Sequence, residues 1–329
     1  MRKLASIQRI ISAEPIEGAD AIEKATILGW QVVIKKGEFK PGDLCLYCEI
    51  DSVLPEKPEF EFLKPRKMRI KTIKLRGQIS QGICFPLSVL PAGTEANEGA
   101  DVTEVMGITK FEIPIPAHLA GEVKGYFPGF IPKTDETRVQ VLQEMLDRNK
   151  GTICYISEKL DGSSVTYYMK DGQFGVCSRN LELKENAENT LWKLAREYDL
   201  ENKLQALNRN YALQGEVIGE GVQGNKYKIK GQAVLFFNAV DIPTHSYLGF
   251  EEFKKLMTET LSLKIVPIIR TDFELINDIP KLVELSAGKS LLSDVQREGI
   301  VIRPLFEKQD PIGRVSFKVV NPEFLLKYE

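Results

Sequence analysis

Glu158-Lys159-Leu160-Asp161-Gly162-Ser163-Ser164-Val165 stands between two apolar, β-branched runs, Thr152 to Ser157 and Val165 to Met169. The runs read as strands and the Asp-Gly pair between them as a turn. That places Lys159 at a strand end, with an acid two residues on and a glycine behind it. A lysine so held is a candidate nucleophile towards phosphorus, on condition that burial or neighbouring cations keep part of its amine neutral. A lysine on a surface hairpin beside an Asp-Gly turn satisfies the same short pattern. The choice between the two falls to the residues around it.

Downstream, strand-like runs recur at Tyr211 to Ile218, Val234 to Val240, Gly299 to Ile302 and Val315 to Val320. They alternate with helical patterns. Asn186 to Leu207 reads as one long amphipathic helix carrying Leu191, Leu194, Ala195 and Tyr198 on one face, and Phe250 to Leu261 and Ile279 to Leu285 as shorter ones. Upstream, Asp135 to Lys150 also has helical spacing (Val139, Leu142, Met145, Leu146), with Thr134 or Asp135 as N-cap. The mixture predicts an α+β domain with mainly antiparallel sheet.

The first ninety or so residues differ in kind, being short strands punctuated by turns. Thr26 to Ile34 is one strand-like run interrupted by Gly29, Lys35-Lys36-Gly37 and Lys40-Pro41-Gly42-Asp43 are turns, and Leu44 to Ile50 is a further strand. Strands this short and regularly spaced suggest a small β-barrel. Its segment from Lys64 to Gly77 is strongly basic. Arg69 and Lys71 share one face, joined by Lys74 and Arg76 if a bulge falls near Thr72 and Ile73, while Ile73 and Leu75 are expected to point inward. Such a face tracks a nucleic-acid backbone; a solvated edge strand guarded by lysines is the alternative. Proline and glycine crowd the stretch from Pro91 to Pro132, including Ile113-Pro114-Ile115-Pro116, as in a connector laid over a surface. Domains are therefore expected at 1–115, barrel with linker, and 116–329.

Composition narrows the class. With 329 residues, 43% hydrophobic and 27% charged, the chain is long enough for two domains, and its net charge of −2 carries no global nucleic-acid signature. The N-terminus breaks its apolar character too early for a signal peptide, and no run is long enough to span a bilayer, so a cytoplasmic or nucleoplasmic protein is expected. The five cysteines are scattered. Cys45 and Cys48 have metal-site spacing without a second pair and read as buried, reduced thiols. Only two histidines, His118 and His245, occur, in separate loop-like segments, which leaves acid and base work to Lys, Glu and Asp.

Polar residues interrupt the apolar strands of the second domain. Arg179 follows Cys177-Ser178, Glu216 sits in Gln214-Gly215-Glu216-Val217, Glu298 precedes Gly299-Ile300-Val301-Ile302, and Lys318 divides Phe317 from Val319. A charge buried without a partner costs several kcal/mol, so strand charges of this kind usually meet a partner, a metal or a ligand. Together with Lys159 they supply the carboxylates and cations that a phosphoryl-transfer site with a divalent cation requires.

In order along the chain, these elements resemble the motifs of the covalent nucleotidyltransferases, the superfamily of nucleic-acid ligases and mRNA capping enzymes. Glu158 to Gly162 is similar to motif I, Ser178-Arg179 to motif Ia, Gly215-Glu216 to motif III, Phe236 to Ile242 to motif IIIa, Glu298 to Ile302 to motif IV, and Phe317-Lys318-Val319 to motif V. Within the superfamily the chain most resembles the Deinococcus-type RNA ligases, also through Phe130 to Gln140 and Gln223-Gly224-Asn225-Lys226-Tyr227. The resemblance implies an OB-like barrel ahead of an α+β, ATP-grasp-like nucleotidyltransferase domain.

It also implies an ATP-dependent RNA ligase that joins 3′-hydroxyl and 5′-phosphate ends. Lys159 would carry AMP, and Glu158, Asp161, Gly162, Arg179, Glu216, Phe237 and Lys318 would hold the nucleotide. Phe237 would stack on adenine, with Phe236 as the competing choice. Glu298 would place Mg²⁺ or Mn²⁺. RNA, as nicked duplex or free ends, is the expected partner of a monomer. Two features depart from the pattern. Many ligases carry two motif V lysines one residue apart, whereas Ser316 and Val320 stand at those offsets from Lys318. The chain also stops shortly after motif V, so no motif VI is expected, which speaks against DNA ligases and capping enzymes. Those two, and an RNA-binding protein with a decayed site, remain the alternatives.

Overall fold

The computed structural model describes residues 3–111 and 122–328. Ile113-Pro114-Ile115-Pro116 and His118 lie outside the described residues. The chain forms two units: 1–114 with 139–143 and 322–329, and 115–138 with 144–321. The C-terminal helix Pro322–Tyr328 thus groups with the first unit, although the sequence alone suggests a single cut near 115.

In the first unit, β1 (Ala5–Arg9), β2 (Ser12–Pro15), β3 (Ile22–Ile27), β4 (Trp30–Lys35), β5 (Leu44–Cys48), β6 (Ser52–Val53), β7 (Thr72–Leu75), β8 (Gln78–Gln81), β9 (Ile83–Phe85) and β10 (Thr109–Lys110) make small antiparallel sheets. The run from Thr26 to Ile34 is a hairpin. Leu28, with φ 52°, turns the chain so that Ile27 pairs with Trp30. Ile7, Ile27, Trp30, Leu46, Tyr47, Ile50 and Phe60 are fully buried, the apolar load a barrel of this size needs. β5 is buried on both faces, which explains why Cys45 and Cys48 are both enclosed; all five cysteines are free thiols. β7 and β8 pair without a bulge. Ile73 is consequently only half-buried and Leu75 is 39% exposed, contrary to the expectation that both point inward.

The second unit has two larger sheets and one separate two-stranded hairpin. Its strands are β11 (Val123–Tyr126), β12 (Thr137–Arg138), β13 (Ile153–Lys159), β14 (Ser163–Lys170), β15 (Gln173–Ser178), β16 (Leu181–Leu183), β17 (Tyr211–Gly219), β18 (Gln232–Asp241), β19 (Ser246–Tyr247), β20 (Ile268–Glu274), β21 (Gly299–Pro304), β22 (Gln309–Asp310), β23 (Gly313–Arg314) and β24 (Phe317–Val320). The larger sheet runs β11-β16-β15-β14-β17-β18-β19 and the smaller β12-β24-β21-β13-β20. Pairing is antiparallel except between β12 and β24. One face of the large sheet (Val165, Tyr167, Leu213, Val217, Phe236) packs under the helices α2 (Thr190–Glu197), α3 (Leu200–Ala206) and α4 (Phe250–Lys255), through Trp192, Leu194, Leu204 and Phe253. Side chains alternate across a strand, so Glu216 and Gln214 face away from that core.

Three helix expectations change. Residues 135 and 136 belong to no regular element, Thr137 pairs with Phe317 and Arg138 with Lys318, and the helix α1 spans only Gln143–Asn149. The 186–207 pattern breaks at Asp199, whose φ of 52° separates α2 from α3. The 250–261 segment passes from α4 into a π-turn at Leu256–Thr260. A helix α5 covers Ile279–Ser286. Among the described residues no helix is long and apolar enough to cross a membrane.

Candidate active site of the second unit

Lys159 ends β13 opposite Gly299, the first residue of β21, and this register delivers Glu298 to its ammonium group. Nζ of Lys159 and Oε1 of Glu298 form an ion pair, with only 22% and 13% of the side chains exposed. The other Glu298 oxygen, Oε2, is buried without a hydrogen-bond partner. Burial raises the Glu298 pKa and the nearby Asp161 raises it further, against the opposing pull of Lys159 and Lys318. Glu216, on β17, is pushed up to about 8 by burial, with Lys159 opposing and Glu298 and Asp161 adding to the shift. Lys159, Asp161, Glu216, Glu298 and Lys318 therefore form one electrostatic cluster, although they span about half the chain.

Gly162 makes the assembly possible. Its backbone N–H donates to Glu216, and a Cβ there would drive into the Val217 carbonyl and sit 2.8 Å from Glu216 Cγ. Only glycine lets the chain after Lys159 run this close to β17. Asp161 is gripped at both ends: its N–H donates to Tyr227 Oη at 2.7 Å, and its carboxylate pairs with Lys226. The Tyr227 ring is buried with Leu160, Ile218, Leu235 and Val266, and the partly buried Phe237 packs against that group. Phe236 is a core residue, 1% exposed and 6.2 Å from the Tyr167 ring, so Phe237 is the aromatic of this pair on the cluster side.

Other candidates stand apart from the cluster. Glu158 points to the opposite side of β13 from Lys159, where its Oε2 accepts from the Leu291 N–H at 2.8 Å and its Oε1 has no partner. Arg179, about half exposed, is paired with Asp135. Arg303, at the far end of β21, is not one of the residues the sequence motifs single out, and it is 2% exposed. Its guanidinium donates to Glu136 at 2.7 Å, to Ser316 Oγ at 2.9 Å and to the Phe237 carbonyl at 3.1 Å, and Ser316 Oγ donates to Glu136 at 2.7 Å. An arginine closing an apolar strand run is the visible signal in the sequence; its acidic partner 167 residues away is not.

Among the described residues no three His, Cys, Asp or Glu side chains cluster as a metal cage. The unpartnered Glu298 Oε2 does fit a hard divalent cation that keeps water and substrate oxygens as its remaining ligands.

Comparison with family models matches residues 152–320 to RNA ligase and residues 4–87 to an OB-fold domain. The chain belongs to the RNA ligase family. The first unit of this ligase is accordingly an OB-fold domain, and its second an α+β ligase domain with antiparallel sheets. No curated protein sequence matches it. Among solved structures it is similar to the Naegleria gruberi RNA ligase. A mutant without ligand is 42% identical with a TM-score of 0.91, over 99% of this chain and 98% of that one. A mutant solved with ATP and Mn has the same identity and TM-score over 99% of both chains. The form solved with pyrophosphate is 43% identical with a TM-score of 0.90, over 100% of this chain and 99% of that one.

Proposed function

We propose that this ligase joins RNA 3′-hydroxyl and 5′-phosphate ends at the expense of ATP, through a lysyl-AMP on Lys159 and an adenylylated RNA, and that it acts on nicks carrying an RNA 3′-hydroxyl strand. The observation that carries the reading is the convergence of Lys159, Glu298, Glu216, Asp161 and Lys318 at the end of β13. The similar Naegleria enzyme solved with ATP and Mn supports the choice of nucleotide and metal.

In chemical terms, Lys159 leaves Glu298, gives up a proton to solvent water and attacks the α-phosphorus of ATP. A P–N bond forms as the P–O bond to pyrophosphate breaks, and the electron pair leaves with pyrophosphate. Lys318 neutralises charge on the α-phosphate, and Phe237 offers its ring to adenine. A divalent cation held by Glu298 would supply further positive charge at the phosphate oxygens. AMP then passes to the RNA 5′-phosphate, and the 3′-hydroxyl displaces AMP to make the phosphodiester.

Incubation with α-labelled ATP and Mg²⁺ followed by denaturing electrophoresis tests this. A labelled protein band is expected, and Lys159→Ala abolishes it. Absence of a band from the unaltered protein sinks the enzyme reading, equal labelling by GTP favours capping chemistry, and preference for a nick with a DNA 3′-hydroxyl strand overturns the choice of RNA.

A further inference from the structure

The single motif V lysine leaves the phosphate site one cation short of the two-lysine pattern. We propose that Lys226, on the loop after β17, is the second cation for the α-phosphate and is held against Asp161 until nucleotide arrives. This rests on the reading of Lys159 as the nucleotide carrier.

Two independent observations place Lys226 there. The first is contact: Lys226 pairs with the carboxylate of Asp161, two residues from Lys159, and both side chains are 18% exposed. Asp161 in turn acts electrostatically on Glu216 and Glu298. The Lys226 ammonium is therefore at the border of the Lys159 cluster, and a flexible four-carbon stem lets it exchange one anionic oxygen for another.

The second is the construction of the loop. Gln223, Asn225 and Lys228 all adopt left-handed backbone, with φ of 45°, 45° and 55°, and Gly224 between them has φ 70°. Non-glycine residues adopt that region at a cost and persist in it where the surroundings impose it, commonly at functional sites. Asn225 closes the loop on itself, its Nδ2 donating to the Ile229 carbonyl at 2.9 Å and its Oδ1 accepting from the Ile229 N–H at 3.0 Å. The outcome of this unfavourable backbone is that Lys226 and Tyr227 reach Asp161 together, one at its carboxylate and one at its N–H. Tyr227 anchors the loop through its buried ring, so Lys226 is delivered from a fixed base.

Three carboxylates, Asp161, Glu216 and Glu298, then face three lysines, Lys159, Lys226 and Lys318. When Lys159 is consumed as nucleophile, Lys226 and Lys318 remain to balance the phosphate, as a pair of motif V lysines does elsewhere.

Calorimetric titration in EDTA of the unaltered protein, Lys226→Met and Lys226→Arg with ATP, AMP and adenosine tests the assignment. Lys226→Met is expected to weaken ATP and AMP alike, by about tenfold, and to leave adenosine unchanged; that size is typical of removing a single charge-assisted hydrogen bond. Lys226→Arg, which keeps the charge and guards against a folding defect, is expected to restore most of the affinity. Equal weakening of all three ligands makes Lys226 a mere support of the loop and overturns the proposal. So does weakening of ATP with AMP untouched, or no change in any ligand. If the unaltered protein neither binds ATP nor becomes labelled on Lys159, the reading of the site itself fails; if it does both, only the role of Lys226 is at stake.

Discussion

Arg303 shows how a single buried side chain can tie together elements of the ligase unit away from the Lys159 cluster. Burial alone would raise the Glu136 pKa, but Arg303 and Arg314, with hydrogen bonds from Arg303 and Ser316, hold it below the ordinary glutamate value. The network ties β21 to the residues just ahead of β12 and β24 and to the Phe237 carbonyl. Arg303→Leu strands the Glu136 carboxylate in a closed environment, and breaking a buried pair in this way costs about 3–5 kcal/mol. A large fall in the urea midpoint at pH 7 is expected. Because the folded Glu136 pKa is depressed, the stability it contributes is complete above the unfolded value near 4.5 and is lost as pH falls through the folded one. Full stability of Arg303→Leu at pH 7 would show that the network carries no load. Residues of this kind divide cleanly by legibility. Lys159, Glu216, Glu298 and Lys318 stand out because each breaks an apolar run. Glu136 stands at the start of a segment whose spacing reads as a helix, and only its distant partner gives it meaning. The pairing of Lys226 with Asp161 is equally unreadable from spacing, since it depends on a loop of left-handed residues that the sequence marks only by Gly224.

At the scale of elements, the sequence pattern locates the strands well and the helices around them less well. Val139, Leu142, Met145 and Leu146 do have helical spacing, yet the four residues before them are not helical. Tertiary bonds along 132–138 outweigh local preference: Thr134 Oγ1 lies 2.8 Å from Ser164 Oγ, the Gln214 amide donates to the Pro132 carbonyl at 2.6 Å, and β12 pairs with β24. Short strands such as β15 and β16 are hard to see in the sequence because two or three apolar residues make no period. The β22–β23 hairpin is another such element, tied to α1 by Asp310. Arg148 donates to that carboxylate at 3.0 and 2.7 Å and Asn149 at 2.9 Å. Hydrogen bonds from Arg148, foremost, lower the Asp310 pKa to about 2. A depressed carboxylate stabilises the fold above its unfolded value, and that contribution disappears as pH falls from about 4 towards 2. Asp310→Asn should therefore melt at a lower temperature than the unaltered protein near neutrality, with the gap closing as pH approaches 2. A gap independent of pH across that interval would place the effect in packing instead of charge.

For the molecule as a whole, a net charge of −2 leaves RNA affinity to local cations. The structure sorts the four candidates on the basic segment of the OB-fold unit. Arg69 is engaged internally, 2.7 Å from Asp51 and with its guanidinium 3.9 Å from the Phe111 ring centroid, at 13% side-chain exposure. Lys74 makes an exposed pair with Glu323 at 3.2 Å, worth little in water. Arg76 is exposed in the turn between β7 and β8, with φ 47°, and Lys71 is half-buried. Without a bulge Lys71 falls on the opposite strand face from Lys74, so we propose Lys74 and the turn residue Arg76 as the pair that tracks a phosphate backbone, with Arg69 holding the unit together. Neutralising those two should weaken binding to nicked RNA and reduce the slope of log affinity against log salt by about 0.9 for each phosphate that is no longer neutralised. Arg69→Ala should instead lower the melting temperature, because it leaves Asp51 without that partner in a partly buried position. An unchanged salt slope in the double variant would return the segment to a solvated edge strand guarded by lysines, and RNA recognition would then have to be sought on the ligase unit itself.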